Sequence, residues 1–265
     1  MFDKAALTYD NDFTNTNIGK LLRNRVWNYL ETIIKPGTKL NILELNCGTG
    51  VDAIWLAQQG HNVMATDLSN EMIKITQSKI EKLGLIENVK TMVCDITALD
   101  KCRIYDKFDL VFSNFGGLNC LNQNELSLLS TQLFRLLKPN GRFVAVVMPR
   151  FCTWESLYFI SKFDTQKIFR RNTKNSLQVN VDGENVETWY YSPSDFKQIF
   201  QKHFSRLTTK PIGFAIPPSY MENRVGRNKN IMDVLNFSEN IFGSITSLSA
   251  VSDHFLVDLQ KKKAL

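Results

Sequence analysis

The chain has 265 residues, of which 43% are hydrophobic, and a formal net charge of +6 at pH 7. A chain of this length and composition can bury a full core, so a single domain is sufficient to account for it. No stretch approaches the run of about 18 apolar residues that a transmembrane helix needs, and the first residues lack the basic and apolar regions of a signal peptide. We therefore expect no membrane span and a cytoplasmic protein.

The cysteines are odd in number, and none of them has the C-x-x-C spacing of a zinc site or a redox motif. They are Cys47, Cys94, Cys102, Cys120 and Cys152. The sequence therefore predicts neither a disulfide framework nor a metal site. We expect most of these residues to pack as small buried side chains.

The first elements in the chain are a polar arm with scattered aromatic residues and an amphipathic helix. Apolar residues recur near every fourth position from Ile18 to Ile34, and Pro36 and Gly37 end the pattern. We assign residues 1–36 to this arm and helix. Residues 37–149 then form the expected cofactor-binding core.

Within that core, short apolar runs alternate with helical patterns. Strands are predicted at 40–45, 62–66, 89–93, 108–113 and 142–148, and helices at 50–59, 69–83 and 123–137. This alternation is typical of β-α-β units that share a parallel sheet.

The remainder of the chain shows a different pattern. Apolar runs at 177–181 and 186–191 flank Asp182 and Gly183, which predicts a hairpin. Later elements are expected as a helix at 193–203, a strand within 206–216, a helical segment near 231–242 and a last strand at 254–259. Residues 150–191 and 217–251 are expected to be insertions that form a small cap over the sheet edge. The predicted fold is a single α/β domain with a doubly wound, Rossmann-like, seven-stranded, mostly parallel sheet and helices on both faces.

The most informative segment runs from Ile42 to Gly50, where an apolar strand enters a glycine turn and then a helix. Glycines let backbone N–H groups approach a ligand closely, and the helix N-terminus adds a partial positive charge. Asp67 ends the next strand, where a carboxylate can accept hydrogen bonds from two ribose hydroxyls. Together the two features predict a nucleoside site.

Residues 48–53 also satisfy the G-x-G-x-x-A form of the dinucleotide fingerprint, so an NAD enzyme is a competing interpretation. Glu44 argues against it, because a carboxylate just before the turn suits an ammonium group and not a pyrophosphate. Asp95 after the third strand can accept from an adenine amino group while Ile96 covers the ring. No separate substrate domain follows the fifth strand. These observations favour a nucleoside joined to an amino acid.

The segment from Glu44 to Gly50 resembles the first motif of the class I S-adenosylmethionine-dependent methyltransferases, which usually has glycine where Asn46 stands. Residues 65–72 are similar to the second motif of that family, and residues 136–142 to the turn before its fifth strand. The resemblance covers about residues 1–150 and the elements after Tyr191. It implies S-adenosyl-L-methionine as cofactor and S-adenosyl-L-homocysteine as product.

The resemblance also implies which residues bind the cofactor. They are Tyr9, Glu44, Asn46, Gly48, Asp67, Leu68, Met72, Asp95, Ile96, Asn114 and Phe115. In the family pattern Glu44 and Gly48 lie near the methionine part and Asp67 on the ribose. Leu68 and Ile96 flank the adenine, and Asp95 binds its amino group. Met72 packs beneath the nucleoside, and Asn114 and Phe115 lie nearest the sulfonium. Tyr9 with Phe13 resembles the aromatic arm with which small-molecule members close over the cofactor.

The sequence leaves the catalytic residues unassigned. Methyl transfer from a sulfonium is an in-line displacement on an activated donor, so alignment and exclusion of water can supply much of the rate. A base is therefore optional, and Tyr9 and His254 are its candidates. His61 is expected in an exposed turn, and His203 at a helix end, where a cation suits the dipole.

We expect a methyltransferase (EC 2.1.1.-) that acts on oxygen, nitrogen or carbon of a small-molecule acceptor. Aromatic residues in the first insertion have spacings that fit core packing, and the sharper hypothesis is that they bind an aromatic or acyl-bearing metabolite. Residues 112–120 lack the prolines of the Asn/Asp-Pro-Pro-Tyr/Phe loop found in base methylases, which argues against a nucleic-acid substrate.

Other partners and functions stay open. Residues 150–175 contain six basic and two acidic side chains, so an acidic carrier protein is a further candidate partner. The positive charge motivates an RNA or protein methyltransferase as one alternative. A non-catalytic S-adenosylmethionine-binding protein is the other. The sequence does not predict the oligomeric state.

Overall fold

A computed structural model describes residues 2–181 and 183–263 of the chain. The strands are β1 (Asn41–Leu45), β2 (Asn62–Asp67), β3 (Val89–Val93), β4 (Phe108–Ser113), β5 (Leu137–Val147), β6 (Leu177–Val181), β7 (Glu184–Thr188), β8 (Phe204–Ile212) and β9 (His254–Lys261). The helices are α1 (Asn17–Ile33), α2 (Val51–Gln58), α3 (Asn70–Lys82), α4 (Gln123–Leu136), α5 (Thr153–Ser161), α6 (Pro193–Phe200) and α7 (Lys229–Phe242). Short helical turns precede α1 and connect several of the other elements.

Seven strands form one sheet in the order β3-β2-β1-β4-β5-β9-β8. Strands β1 to β5 are parallel, and β9 pairs antiparallel with both β5 and β8. The predicted fold class is therefore confirmed. The chain order reverses between β1 and β4, and such a switch point opens a crevice at the carboxyl ends of the strands.

Helices cover both faces of the sheet, because its central strands are apolar on both sides. One buried cluster joins one face to α1, α2 and α3 through residues such as Leu22, Leu56 and Ile80. The other cluster joins the opposite face to α4 and α6, where Leu129 and Phe196 are fully buried. The regularly spaced apolar residues of α1 thus form its buried face, as predicted.

The segments 150–191 and 217–251 contain α5, the separate β6–β7 hairpin and α7. The hairpin is present as predicted, although Asp182 of its turn lies outside the described residues. The N–H of Trp189 donates to the carbonyl of Asn119 after β4 (2.7 Å), and the N–H of Thr153 donates to Val251 before β9 (2.9 Å). Both segments therefore adjoin the carboxyl edge of the parallel strands.

Two expectations from the sequence are wrong. Cys94 and Cys102 form a disulfide, because the turn after β3 returns the chain to the strand end and leaves the two Cα atoms 5.7 Å apart. Counting cysteines could not reveal this pair. His61 is buried, with 2% of its surface exposed, and its Nδ1 accepts from the N–H of Leu40.

Across residues 2–181 and 183–263, no group of His, Cys, Asp and Glu side chains is arranged to hold a metal ion. In that described part, no helix combines the length and the apolar composition needed to cross a membrane.

Candidate cofactor site

The turn between β1 and α2 is built from residues with left-handed backbone conformations. Asn46, Gly48 and Gly50 have φ of 46°, 55° and 79°. Gly50 cannot carry a side chain, because a Cβ there would overlap the side chain of Thr76 in α3. The turn therefore brings its backbone close to α3, and the N-terminus of α2 follows directly after it.

Glu44 lies just below this turn and is 1% exposed. Its Oε2 has no hydrogen-bond partner among the described residues. Burial raises the pKa of Glu44 well above its usual value, and neighbouring Asp52 raises it further, while Arg23 acts in the opposite direction. A buried carboxylate with a free oxygen fits an ammonium group such as that of a methionine moiety.

The end of β2 is tied to the glycine turn by Asp67. Its Oδ2 accepts from the N–H of Gly48 and its Oδ1 from the N–H of Ser69, each at 2.9 Å. Burial raises the pKa of Asp67, and these backbone N–H groups partly offset the rise. Each carboxylate oxygen keeps a second lone pair, which fits the ribose role that the resemblance implies.

The expected adenine residues lie at the ends of β2 and β3. Leu68 is 50% exposed, Met72 is buried in α3, and Ile96 is half-buried. The exposed carboxylate of Asp95 accepts from the N–H and the hydroxyl of Thr97 (2.8 and 2.7 Å). The Cys94–Cys102 disulfide closes the loop that carries Asp95 and Ile96. The carboxyl ends of β2 and β3 therefore bring Leu68, Asp95 and Ile96 to the same edge of the sheet. The contacts of these residues with a cofactor stay predictions.

Asn46, the residue that departs from the family motif, joins β1 to the loop after β4. Its amide nitrogen donates to the carbonyl of Asn114 (3.1 Å), and its Oδ1 accepts from the hydroxyl of Ser113 (2.7 Å). Its side chain fills the space beside Gly117, where a Cβ would overlap it. A glycine at position 46 could not make these bonds, so the departure fixes the position of the β4 loop.

A buried ion pair behind the site was not predicted from the sequence. Arg23 of α1 contacts Asp52 at the head of α2 (Nη1 to Oδ2, 2.5 Å), and their side chains are only 7% and 4% exposed. Asp52 also accepts from Trp27 (2.6 Å) and Asn114 (3.0 Å). In the sequence, the one indication of this ion pair was a charged residue, Arg23, beside the apolar positions of the first helix. Arg23 pairs with Asp52 and acts on Glu44 only through its charge, so the ionised site carries an excess negative charge that suits a cationic ligand.

The amino-terminal arm lies directly over the glycine turn. The ring of Tyr9 would be 3.7 Å from a Cβ on Gly48. Asp10 accepts from the Thr49 hydroxyl (2.6 Å) and from the Lys79 ammonium (2.5 Å). The remaining cavity has a volume of about 20 Å³. Since this is close to the space that one water needs, the arm must move for a nucleoside to enter.

The two base candidates lie at opposite ends of a row of aromatic rings. Tyr9 packs on Phe13, Phe13 on Phe115, and Phe115 on His254, with centroid distances of 5.8, 4.9 and 5.5 Å. Burial raises the pKa of Tyr9, an effect that Arg23 opposes, so its phenol stays protonated at neutral pH. Of the two candidates, His254 is therefore the better proton acceptor.

Comparisons with known proteins agree with this geometry. A family model described as "Methyltransferase domain" matches residues 42–141. The ubiquinone/menaquinone biosynthesis C-methyltransferase UbiE of Acidiphilium cryptum is 29% identical over 156 residues, which are 57% of this chain and 58% of that protein. The chain spans about half the length of the curated relatives it matches.

Solved structures share the fold over most of the chain. A S-adenosylmethionine-dependent methyltransferase from Methanosarcina mazei has a TM-score of 0.59 and 15% identity, and the match covers 88% of this chain and 96% of that one. Geranyl diphosphate C-methyltransferase from Streptomyces coelicolor A3(2), in complex with S-adenosyl-L-homocysteine, has a TM-score of 0.55 and 14% identity, over 88% of this chain and 76% of that one.

The strand order, the glycine turn and the acidic residues at the strand ends are those of the class I S-adenosylmethionine-dependent methyltransferase fold. Residues 42–141 match the methyltransferase domain family, and the ubiquinone and menaquinone methyltransferases are distant relatives over about half of the chain. The resemblance given by the sequence motifs is confirmed, and S-adenosylmethionine is the cofactor of the family.

Replacing Glu44 with Gln removes its charge at nearly constant size. We expect the affinity for S-adenosylmethionine to fall about tenfold or more, because the ammonium loses a charged partner. The unliganded protein should become more stable at pH 7. A carboxylate whose pKa is raised by folding destabilises the fold as pH rises above its unfolded pKa of about 4.3, and Gln does not ionise.

Titration calorimetry and thermal unfolding test both effects, and relief of about 1 kcal/mol corresponds to a rise in Tm of roughly 2–4 °C. The stability difference should shrink at pH 4. Exposed Glu31→Gln is the matched control. Unchanged cofactor affinity in Glu44→Gln would show that Glu44 does not bind the ammonium group.

Replacing Lys79 with Met removes the ammonium that holds Asp10 and the arm. We expect S-adenosyl-L-homocysteine to dissociate about fivefold faster, for a partly exposed contact worth about 1 kcal/mol. Stopped-flow displacement measures the rate. Lys74→Met, which removes an exposed pair with Glu71 on the same helix, should leave it unchanged. Equal rates in the two variants would contradict the role given to the arm.

Proposed function

We propose that the chain transfers the methyl group of S-adenosylmethionine to oxygen, nitrogen or carbon of a small, aromatic or acyl-bearing acceptor. The observation that carries the proposal is the covered sheet edge, where the aromatic arm leaves a cavity of about 20 Å³ beside the glycine turn. Segments 150–191 and 217–251 adjoin the same edge and are proposed to cap the acceptor. An edge covered in this way suits a small enclosed acceptor better than an RNA or a protein lying across an open surface.

The named relatives support the same class of acceptor. Two of the curated relatives are named as a ubiquinone/menaquinone biosynthesis C-methyltransferase and a demethylmenaquinone methyltransferase, and one protein with this fold is named as a geranyl diphosphate C-methyltransferase. The acceptors in these names are small molecules. An acceptor of comparable size is therefore the proposal for this chain.

The bound cofactor supplies an activated methyl carbon, and the chain supplies binding, alignment and exclusion of water. Glu44 holds the ammonium group and Asp67 holds the ribose. The arm that carries Tyr9 and Phe13 closes over the glycine turn and keeps solvent from the reacting atoms. Because the donor is already activated, this positioning accounts for much of the proposed rate.

His254 is proposed to accept a proton from the acceptor where the acceptor arrives neutral. Its ring packs edge-on against Phe115 of the β4 loop, and its Nδ1 lies 3.0 Å from Oδ2 of Asp253. The charge of this carboxylate favours a proton on Nδ1, although Nδ1 makes no hydrogen bond among the described residues, and Nε2 is then the basic nitrogen. Burial alone would raise the pKa of Asp253, but His254 and Arg171 outweigh it and hold that pKa below its usual value.

The charge of residues 150–175 gives little support to a large acidic partner. Arg170 and Arg171 both donate to the buried carboxylate of Glu155 (2.9 Å each). Arg150 pairs with Asp195, and Lys167 pairs with Asp164. Most of the basic side chains in this segment are thus engaged within the chain. An acidic carrier protein stays a proposal that the pairing makes weaker.

The experiment that tests the proposed function is transfer of labelled methyl from S-adenosylmethionine to a cell extract that is then separated into lipid, small-molecule, RNA and protein fractions. Asp67→Ala serves as the blank, after circular dichroism has shown that it folds. We expect label in the lipid or small-molecule fraction. Label confined to RNA or protein would overturn the acceptor class. No label despite tight cofactor binding would indicate a non-catalytic binding protein.

With the acceptor identified, and where it arrives neutral, His254→Gln should lower kcat/KM by roughly 10²-fold or more. Asp253→Asn should lower it less, because Asp253 is proposed only to orient the imidazole. His203→Gln is the control, since His203 lies in the turn between α6 and β8 beside Thr131. An unchanged kcat/KM in His254→Gln would exclude His254 as the proton acceptor.

A further inference from the structure

Helix α7 has a stripe of apolar side chains that faces solvent. Ile231, Val234, Phe237 and Ile241 follow one another at intervals of three or four residues and are 44%, 64%, 65% and 53% exposed. At 3.6 residues per turn these positions share one face of the helix. A contiguous apolar face of this kind on a folded domain indicates an interaction surface.

The opposite face of α7 is fixed in the fold, so the stripe cannot turn inward. Met232 is buried in the core. The buried carboxylate of Glu239 accepts from the N–H of Gly213 (2.8 Å) and of Ala215 (2.6 Å). Arg25 of α1 donates to the α7 backbone (2.8 Å). These bonds hold the helix in one rotational setting with the stripe outward.

Cations gather at the amino-terminal end of the stripe. Arg224, Arg227 and Lys229 are exposed and, within the described chain, form no ion pair, while Asp233 is the one acid between positions 224 and 233. This stretch therefore has a net charge of +2. A helix with an apolar face beside a basic end has the character of an interfacial helix.

Helix α5 and the turn after it add more exposed apolar side chains next to these cations. Leu157 and Ile160 of α5 are 53% and 51% exposed, and Phe163 after the helix is 92% exposed. The Arg224 guanidinium lies 5.0 Å from the ring centroid of Tyr158 in α5, so the two groups are neighbours. The apolar surface thus extends on both sides of a basic residue.

We propose that the α7 stripe and its basic end dock the chain on an anionic phospholipid surface. The stripe would lie among the acyl chains near the head groups, and Arg227 and Lys229 would bind lipid phosphates. Charge favours lipid over a second copy of the chain. In an antiparallel α7 pair the basic end would face residues 240–251 of the other copy, and that stretch contains no acidic residue.

Flotation with phospholipid vesicles tests this docking on the full chain without any acceptor. We expect binding to vesicles of phosphatidylcholine with phosphatidylglycerol, and little binding to phosphatidylcholine alone. Val234→Asn with Phe237→Ser should weaken binding by about tenfold or more, because both apolar side chains leave the acyl region. Arg227→Gln with Lys229→Gln should weaken it by roughly tenfold at low salt and less at high salt.

Matched control variants distinguish binding through this surface from nonspecific binding to vesicles. Leu128→Asn removes an equally exposed apolar side chain from α4, and Lys35→Gln with Lys39→Gln removes two exposed cations before β1. Neither should change vesicle binding, and S-adenosylmethionine binding should be kept in every variant. Vesicle binding that is absent, or that persists in the stripe variant, would overturn the proposal. A dimer in gel filtration that Phe237→Ser splits would likewise overturn it, as an interface between copies.

Discussion

The carboxylate of Asp52 connects the three elements on which the site depends. It accepts hydrogen bonds from Arg23 and Trp27 of α1 and from Asn114 in the loop after β4, while its own backbone begins α2. A buried carboxylate costs several kcal/mol unless its lone pairs are used, and here three donors use them. Helix α1, the glycine turn and the β4 loop therefore cannot shift independently. Their fixed relation places Asn46, Asn114 and Phe115 around one small space.

Glu44 shows the opposite arrangement in the same neighbourhood. It is as deeply buried as Asp52, yet one oxygen lacks a partner among the described residues, and its pKa is strongly raised. The fold thus satisfies one of two adjacent carboxylates and leaves an oxygen of the other unpaired among the described residues, which is where the cationic ligand is proposed to bind. A buried carboxylate without a charge partner destabilises the unliganded protein, and a bound cation stabilises the folded state. Ligand binding and folding are therefore coupled.

The sequence predicted best what depends on local pattern. The strands, the main helices and the turn from Glu44 to Gly50 followed from periodicity and glycine positions. It could not predict contacts between distant segments. The Arg23–Asp52 pair joins residues 29 positions apart, and the Cys94–Cys102 disulfide depends on the path of one irregular turn. His61 was expected in solvent because its neighbours are turn residues, but the packing of the chain around it decides its burial.

Residues 150–175 show most clearly why charge counting is limited. Their positive charge suggested an external acidic partner, yet Arg171 is buried and divides its guanidinium between Glu155 and Asp253. Asp253 in turn lies beside His254 at the start of β9. The basic residue thus connects α5 to the edge of the sheet where the acceptor is proposed to bind. Charge that appears available in the sequence is therefore paired inside the molecule.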